Sequence, residues 1–137
     1  MTREFANATA LLINWLRIQY AAAEDAVLAN VVVGATVPPT RTGSAPLVVV
    51  RRSGGVAELV RDRPRMDFMH WHSTEFKAST MANITRGLVL YTLPGQVLDG
   101  HTIYKTSEFS GPLPYPDPAG SNIPIVMLSV EIPIRIL

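Results

Sequence analysis

The segment 125–137 places the strongest constraint on what this chain can fold into. Its apolar side chains occupy every second position without a gap: Val126, Leu128, Val130, Ile132, Ile134 and Ile136. Because the side chains of a strand alternate between its two faces, this segment predicts a sheet with one continuous buried face. Pro133 lacks the amide proton of a ladder hydrogen bond, so we expect one edge of this strand to leave the sheet there.

Two other segments have the 3–4 residue spacing of amphipathic helices. In residues 4–23 the spaced positions are Phe5, Ala8, Leu12, Leu16, Gln19 and Ala23. In residues 74–93 they are Phe76, Thr80, Ile84, Leu88 and Tyr91. We therefore predict two helices, the second capped by Ser73 or Thr74, with these positions as their buried stripes.

Between and after the helices, short apolar or alternating runs predict strands over 27–33, 47–52, 56–61, 65–71 and 101–109. Gly54-Gly55 has the composition of a tight hairpin turn. Pro64 predicts a break in the ladder at 62–64. Segments 34–46 and 110–124, which hold most of the 11 prolines, predict loops.

These elements predict a single α+β domain over residues 1–137. A mainly antiparallel sheet of four to five strands carries both helices on one face, in the order α-β-β-β-α-β-β. A chain of 137 residues is long enough to bury a core of that kind.

The composition excludes several classes of protein. There is no cysteine, so disulfides, cysteine zinc sites and thiol nucleophiles are excluded. A net charge of +1 disfavours binding of nucleic acid by bulk charge. No uncharged run reaches the roughly 18 residues of a membrane span, so we expect no membrane partner. Charged residues are only 17% of the chain, and this apolar excess favours a protein that covers surface with other subunits.

Few residues have the pattern of a catalytic or metal site. His70 and His72 lie two positions apart on a predicted strand, where both rings share one face, with Asp67 or His101 as a third ligand. This spacing keeps a small metal-dependent enzyme as an alternative. The motifs of serine hydrolases and of phosphate-binding loops are missing from the sequence, so we expect no catalytic residue, no bound metal and no cofactor.

Arginines are concentrated in one part of the chain. Six of the 12 basic residues lie between positions 41 and 65, where only Glu58 and Asp62 oppose them: Arg41, Arg51, Arg52, Arg61, Arg63 and Arg65. Arginine forms bidentate bonds to carboxylates and phosphates, so Arg51, Arg52, Arg61, Arg63 and Arg65 are candidate contacts to a partner or to DNA. A solvated edge that blocks strand pairing is the alternative, and a DNA-binding module is a further one.

The proline-rich loop 110–124 is a candidate subunit-interface arm. Leu113, Tyr115 and Asp117 lie within it, on a backbone that prolines hold extended. Such a segment loses little conformational entropy when it docks on a neighbour. A loop folded back on its own sheet explains the same residues equally well.

The run VVVRRSGGVAELVRDRPRMDFMHWHSTEFKASTMANITRGLVLYTLPG resembles the middle of the tail terminator, or tail completion, proteins of long non-contractile-tailed bacteriophages, especially those of actinobacteria. The similarity extends over most of residues 47–136. The positions that match are Gly54-Gly55, Asp62, Pro64, Trp71, Ala78, Ala82, Gly111-Pro112, Asp117-Pro118 and the final alternating strand.

The resemblance implies a virion protein that forms a hexameric ring on the last ring of the tail tube. Such a ring stops polymerisation of the major tail tube protein once the tape measure protein is spanned, and then joins the head-side connector or stopper protein. DNA passes through its lumen with non-specific contacts, and no cofactor takes part. A head-side connector or stopper of the same neck is the alternative within this class.

Overall fold

The computed structural model describes residues 3–38, 45–117 and 119–137, and within them six strands form one sheet. The strands are β1 (Val32–Gly34), β2 (Leu47–Ala57), β3 (Arg61–Trp71), β6 (Ser107–Tyr115), β7 (Ile125–Glu131) and β8 (Ile134–Arg135). Their order in the sheet is β1-β2-β3-β7-β6, and β8 pairs with the first two residues of β3. A separate small hairpin joins β4 (Val97–Leu98) to β5 (His101–Thr102). Only β1 and β2 pair in parallel, so the predicted α+β class with a mainly antiparallel sheet is confirmed. The main sheet has six strands where four to five were predicted, and the order of elements along the chain also differs from the prediction.

Two α-helices pack on one face of this sheet. Helix α1 is Ala8–Ala23, and Asn7 caps it by accepting a bond from the Ala10 amide at 3.1 Å. Helix α2 is Glu75–Gly87, capped in the same way by Thr74, and it continues as a π-helical turn over Leu88–Thr92. The face that the helices cover carries the alternate sheet residues Val48, Val50, Met66, Phe68, Val126, Leu128 and Val130.

The stripe predicted for α1 is buried at Ala8, Leu12 and Leu16 but exposed at Phe5 and Ala23, and the stripe predicted for α2 is wrong at both of its ends. Phe76 and Tyr91, which the spacing placed in the core, are 82% and 85% exposed. The buried side chains of α2 are those of Ala78, Met81, Ala82 and Thr85. The sheet lies close to α2 at these positions, and the two aromatic rings are left on the outer surface.

The β2–β3 hairpin differs from the prediction in its turn. Gly54-Gly55 forms a bulge inside β2, and the chain turns three residues later, where the Glu58 amide donates to the Arg61 carbonyl at 2.8 Å. The predicted break at 62–64 is also wrong, because β3 runs through Pro64. Pro64 lies opposite Gly55 beside the bulge, and its carbonyl accepts a bond from Ile132. The hairpin therefore has two strands of 11 residues.

The observed bounds of other strands and loops also differ from the predicted ones. Residues 26–28 form a 3₁₀ turn capped by Asp25, and Asn30 has a φ of 60°, so the strand predicted over 27–33 shrinks to β1. The predicted strand 101–109 divides into β5 and the start of β6. Residues 110–115 of the predicted loop 110–124 belong to β6, an edge strand, where proline is tolerated. Part of the loop predicted over 34–46, residues 39–44, lies outside the described residues.

The bulge yields a test of the hairpin. Gly55 has a φ of 98°, and a Cβ atom there would lie 2.1 Å from the Arg63 carbonyl oxygen, whereas a Cβ at Gly54 (φ 127°) has open space around it. We expect Gly54→Ala to lower the free energy of unfolding by about 1–3 kcal/mol, from backbone strain alone. Gly55→Ala should cost clearly more, because strain and a backbone clash add. Urea unfolding of the two variants measures the difference, and equal losses would contradict the bulge.

Candidate functional site

The sheet places the candidate arginines on both of its faces. Arg61, Arg63 and Arg65 occupy alternate positions of β3 on the face away from the helices, and Arg51 of β2 shares that face. Arg52 points to the other side, because its neighbour in register, Met66, is a core residue. The predicted stripe of five arginines is therefore a cluster of four and one separate residue. Arg41 lies outside the described residues.

Arg52 forms a bidentate pair with Asp62 inside the hairpin. Its two terminal nitrogens donate to the Asp62 carboxylate at 2.6 and 2.8 Å, and Nε donates to the Gly54 carbonyl at 3.0 Å. Asp62 is only 3% exposed. Arg52 therefore neutralises a buried carboxylate and holds the bulge, a role within its own chain that the spacing alone did not reveal.

Arg61 and Arg63 share the carboxylate of Glu58. The bonds are 2.9 Å from Arg61 and 2.6 Å from Arg63, and Arg63 also donates to Glu131 at 2.9 Å. Hydrogen bonds from Arg61 and then from Arg63 lower the pKa of Glu58. The network joins the turn of the hairpin to β7, because Glu131 is the last residue of that strand.

Arg65 lies flat against an aromatic ring. Its guanidinium is 3.6 Å from the centre of the Phe109 ring, and its Nε lies 3.8 Å from the Asp67 carboxylate. Asp67 in turn accepts a bond of 2.5 Å from Ser129. Arg51 is exposed and makes one long bond, of 3.5 Å, to the Ala35 carbonyl.

The fold thus balances most of the positive charge in this region. Four of the five arginines lie beside carboxylates, namely those of Glu58, Asp62, Asp67 and Glu131. The sequence window that holds the arginines contains only the first two; β3 and β7 bring in the others. The surface is therefore an alternating ion network with little net charge, and its attraction for phosphates is modest.

A pair of arginine variants separates the two roles. Arg52→Gln removes the partner of a buried carboxylate, and we expect it to lower the free energy of unfolding by about 2–3 kcal/mol. Arg51→Gln, the matched control on the adjacent residue, should change it by less than about 0.5 kcal/mol. Chemical denaturation checks both values, and a neutral Arg52→Gln would contradict the clamp.

The two candidate metal ligands point to different surroundings. His70 is fully buried, where Nδ1 donates to the Val126 carbonyl at 2.9 Å and Nε2 accepts from the Thr85 hydroxyl at 2.8 Å. His72 instead donates from Nε2 to the Val27 carbonyl and accepts from the Ser73 amide. Asp67 lies on the opposite face of β3, and the part of the chain that the structure describes holds no group of three metal-ligating side chains.

His70 belongs to a polar chain that crosses the core. The Tyr20 hydroxyl of α1 lies 2.5 Å from the Thr85 hydroxyl of α2, which bonds to His70 of β3. Burial lowers the pKa of His70 to about 4, although its bonds to backbone carbonyls act in the other direction. Burial also raises the pKa of Tyr20. The chain ties both helices to the sheet while its members are neutral.

This burial predicts a pH dependence of stability. Between pH 6.5 and about 4 the unfolded chain binds a proton on His70 that the folded chain does not, so stability falls as the pH is lowered through that window. The total loss from this residue is about 3 kcal/mol, and it levels off below pH 4. Thermal unfolding of the wild type and of His70→Asn from pH 7 to 4 isolates it, because the carboxylates titrate in both. Parallel curves would contradict the assignment.

The three residues of the predicted arm do not lie on one loop. Leu113 and Tyr115 are part of β6, 38% and 39% exposed, and pair with Met127 and Ile125 of β7. Asp117 follows the strand and accepts a bond from the Ala119 amide at 2.9 Å. Tyr115 helps to line a groove of about 360 Å³ with Glu75, Pro114, Pro116, Pro124 and Ile125.

A second and larger concavity lies at the turn of the β2–β3 hairpin. It has a volume of about 960 Å³ and lies between the turn and Tyr104, lined also by Ala57, Glu58, Leu59, Val60 and Arg61. Sequence reasoning missed this surface, because it assigned the turn to Gly54-Gly55. The apolar residues among 56–60 were the one sequence feature that could have indicated this surface.

Comparison with known proteins identifies no family for this chain. No protein-family model matches the sequence, and no curated protein is significantly similar to it. In the described residues no helix is long and apolar enough to cross a membrane.

Proposed function

We propose that this chain is a structural subunit that forms a closed ring, with the role of a phage tail terminator. The ring caps the end of the tail tube, ends its polymerisation and joins the tail to the head-side connector or stopper, with DNA passing through the lumen. The sequence resemblance implies that the ring has six copies, that it belongs to the virion and that it contacts the tape measure protein. The mechanism is thermodynamic: the cap covers the growing end and offers no further site to tube protein.

One observation carries the proposal. Exposed apolar side chains lie at both ends of one rigid sheet: Val56, Leu59 and Val60 at the hairpin turn, and Leu113 and Tyr115 at the other end. A closed ring needs two different patches on each subunit, because every contact in it joins one patch to the other.

The charge pattern is compatible with a DNA channel. A lumen must let DNA slide, and a strongly basic wall would retain it through many phosphate contacts. The ion network of Arg61, Arg63 and Arg65 with their carboxylates offers donors but little net charge. In the proposed ring, Arg51 is the residue best suited to touch phosphates, because it is exposed and forms no ion pair within the part of the chain that the structure describes.

The proposal is tested on growing tubes. Tail tube protein encoded in the same genome is polymerised with and without the purified chain, and tube length and ends are measured by electron microscopy. We expect a ring at one end of each tube and a length that shortens as the chain is added. Tubes that grow to the same length, with bare ends at every ratio, would contradict the function.

A further inference from the structure

A small pocket lies along one side of the first turns of α1. It has a volume of about 190 Å³. The helix contributes one face to it, with residues at 3–4 spacing: Asn7, Ala10, Leu11 and Asn14. The segment before the helix and the β4–β5 hairpin supply the rest of the wall: Glu4, Phe5, Ala6, Asp99 and His101. Helix amides point along the axis of α1 and not toward this flank, so side chains set the character of the pocket.

His101 presents a ring nitrogen to this pocket. The residue is 4% exposed, and its Nδ1 donates to the Arg135 carbonyl at 2.8 Å. Because a carbonyl oxygen only accepts, the proton of the neutral ring lies on Nδ1 and Nε2 has a lone pair. Within the described part of the chain Nε2 has no hydrogen-bond partner, and it is not sealed from solvent. A buried acceptor, held in one orientation by Arg135, therefore faces the pocket.

Two carboxylates line the same pocket. Glu4 and Asp99 are exposed, and neither forms a salt bridge or a side-chain hydrogen bond within residues 3–38, 45–117 and 119–137. No lysine or arginine of those residues lines the pocket. Its walls therefore carry two negative charges without a counter-charge, beside the lone pair of His101. This combination favours a ligand that is cationic and rich in N–H donors.

The spread of the acceptors and an aromatic ring narrow the class of ligand. In the described residues no three His, Asp or Glu side chains are placed to share one metal ion, so these acceptors do not converge on a compact cation. A guanidinium instead carries five N–H donors on a planar fork and stacks on aromatic faces. Phe5, 54% exposed, supplies such a ring on the pocket wall. The cavity is small beside the roughly 300–1,000 Å³ of drug-sized sites, which suits a group of this size.

We propose that this pocket binds a guanidinium group. Glu4 and Asp99 neutralise its charge, His101 accepts one of its N–H bonds on Nε2, and Phe5 stacks against its plane. An arginine side chain of another polypeptide and a free guanidino compound present the same planar fork, so either source fits the site. Binding needs neither the ring nor a tail tube, so failure of this proposal and failure of the proposed function are separate outcomes.

Titration of the purified chain with methylguanidinium chloride, followed by ¹H–¹⁵N NMR, tests the site. We expect saturable shifts of the amides of residues 99–101 and of the His101 Nε2 resonance, with a Kd on the order of 1 mM. Asp99→Asn should weaken binding about fivefold or more, because it removes a charged acceptor. It keeps the β4–β5 turn, since Asn-Gly suits the positive φ values of Asp99 and Gly100 as well as Asp-Gly does. Methylammonium, with its compact charge, should bind about fivefold more weakly or less.

Glu24→Gln is the matched control. It removes one exposed carboxylate at the opposite end of α1 and should bind methylguanidinium like the wild type. N-acetyl-arginine methylamide separates the two sources: binding as tight as that of methylguanidinium indicates an arginine of a polypeptide, and weaker binding indicates a free compound.

Four results would overturn the proposal. They are no saturation by methylguanidinium below about 20 mM, equal binding of methylammonium, an unmoved His101 Nε2 resonance, and an Asp99→Asn variant that loses no more affinity than Glu24→Gln.

Discussion

The bidentate pair between Arg52 and Asp62 is the interaction on which the hairpin depends. It neutralises a carboxylate that is almost fully buried and fixes the carbonyl of Gly54 in the bulge of β2. The bulge lets β2 and β3 stay paired past Pro64, and this carries the apolar turn to the far end of the sheet. Without the clamp, an unpaired charge would lie against the core beside Ile134.

The sheet divides its outer face between two tasks. At one end a buried apolar cluster of Leu47, Val49, Trp71 and Ile125 supports the edge that carries Tyr115. Toward the hairpin the same face becomes an ion network that spans β3 and β7. In the proposed ring, the apolar ends would favour contact with neighbouring subunits, while the nearly neutral polar middle stays solvated.

The sequence predicted the class of fold because alternation in 125–137 and the two helical spacings are local signals. It missed the bulge, because Gly54-Gly55 suits a turn and a bulge equally, and the choice depends on pairing with distant Pro64. The spacing also placed Phe76 and Tyr91 in the core. Apolar residues lie on two sides of α2, and only packing against the sheet decides which side is buried. The neutralisation of Arg63 depends on Glu131 of β7, which only the pairing of distant strands brings near.

The mass of the assembled species tests the central claim most directly. Native mass spectrometry of the whole chain, at rising concentration, separates a closed ring from an open chain of subunits. The account predicts one dominant oligomer, of six copies, whose mass stays fixed as more protein is added. A spectrum that shows only monomer, or a ladder of masses that lengthens without limit, would contradict it.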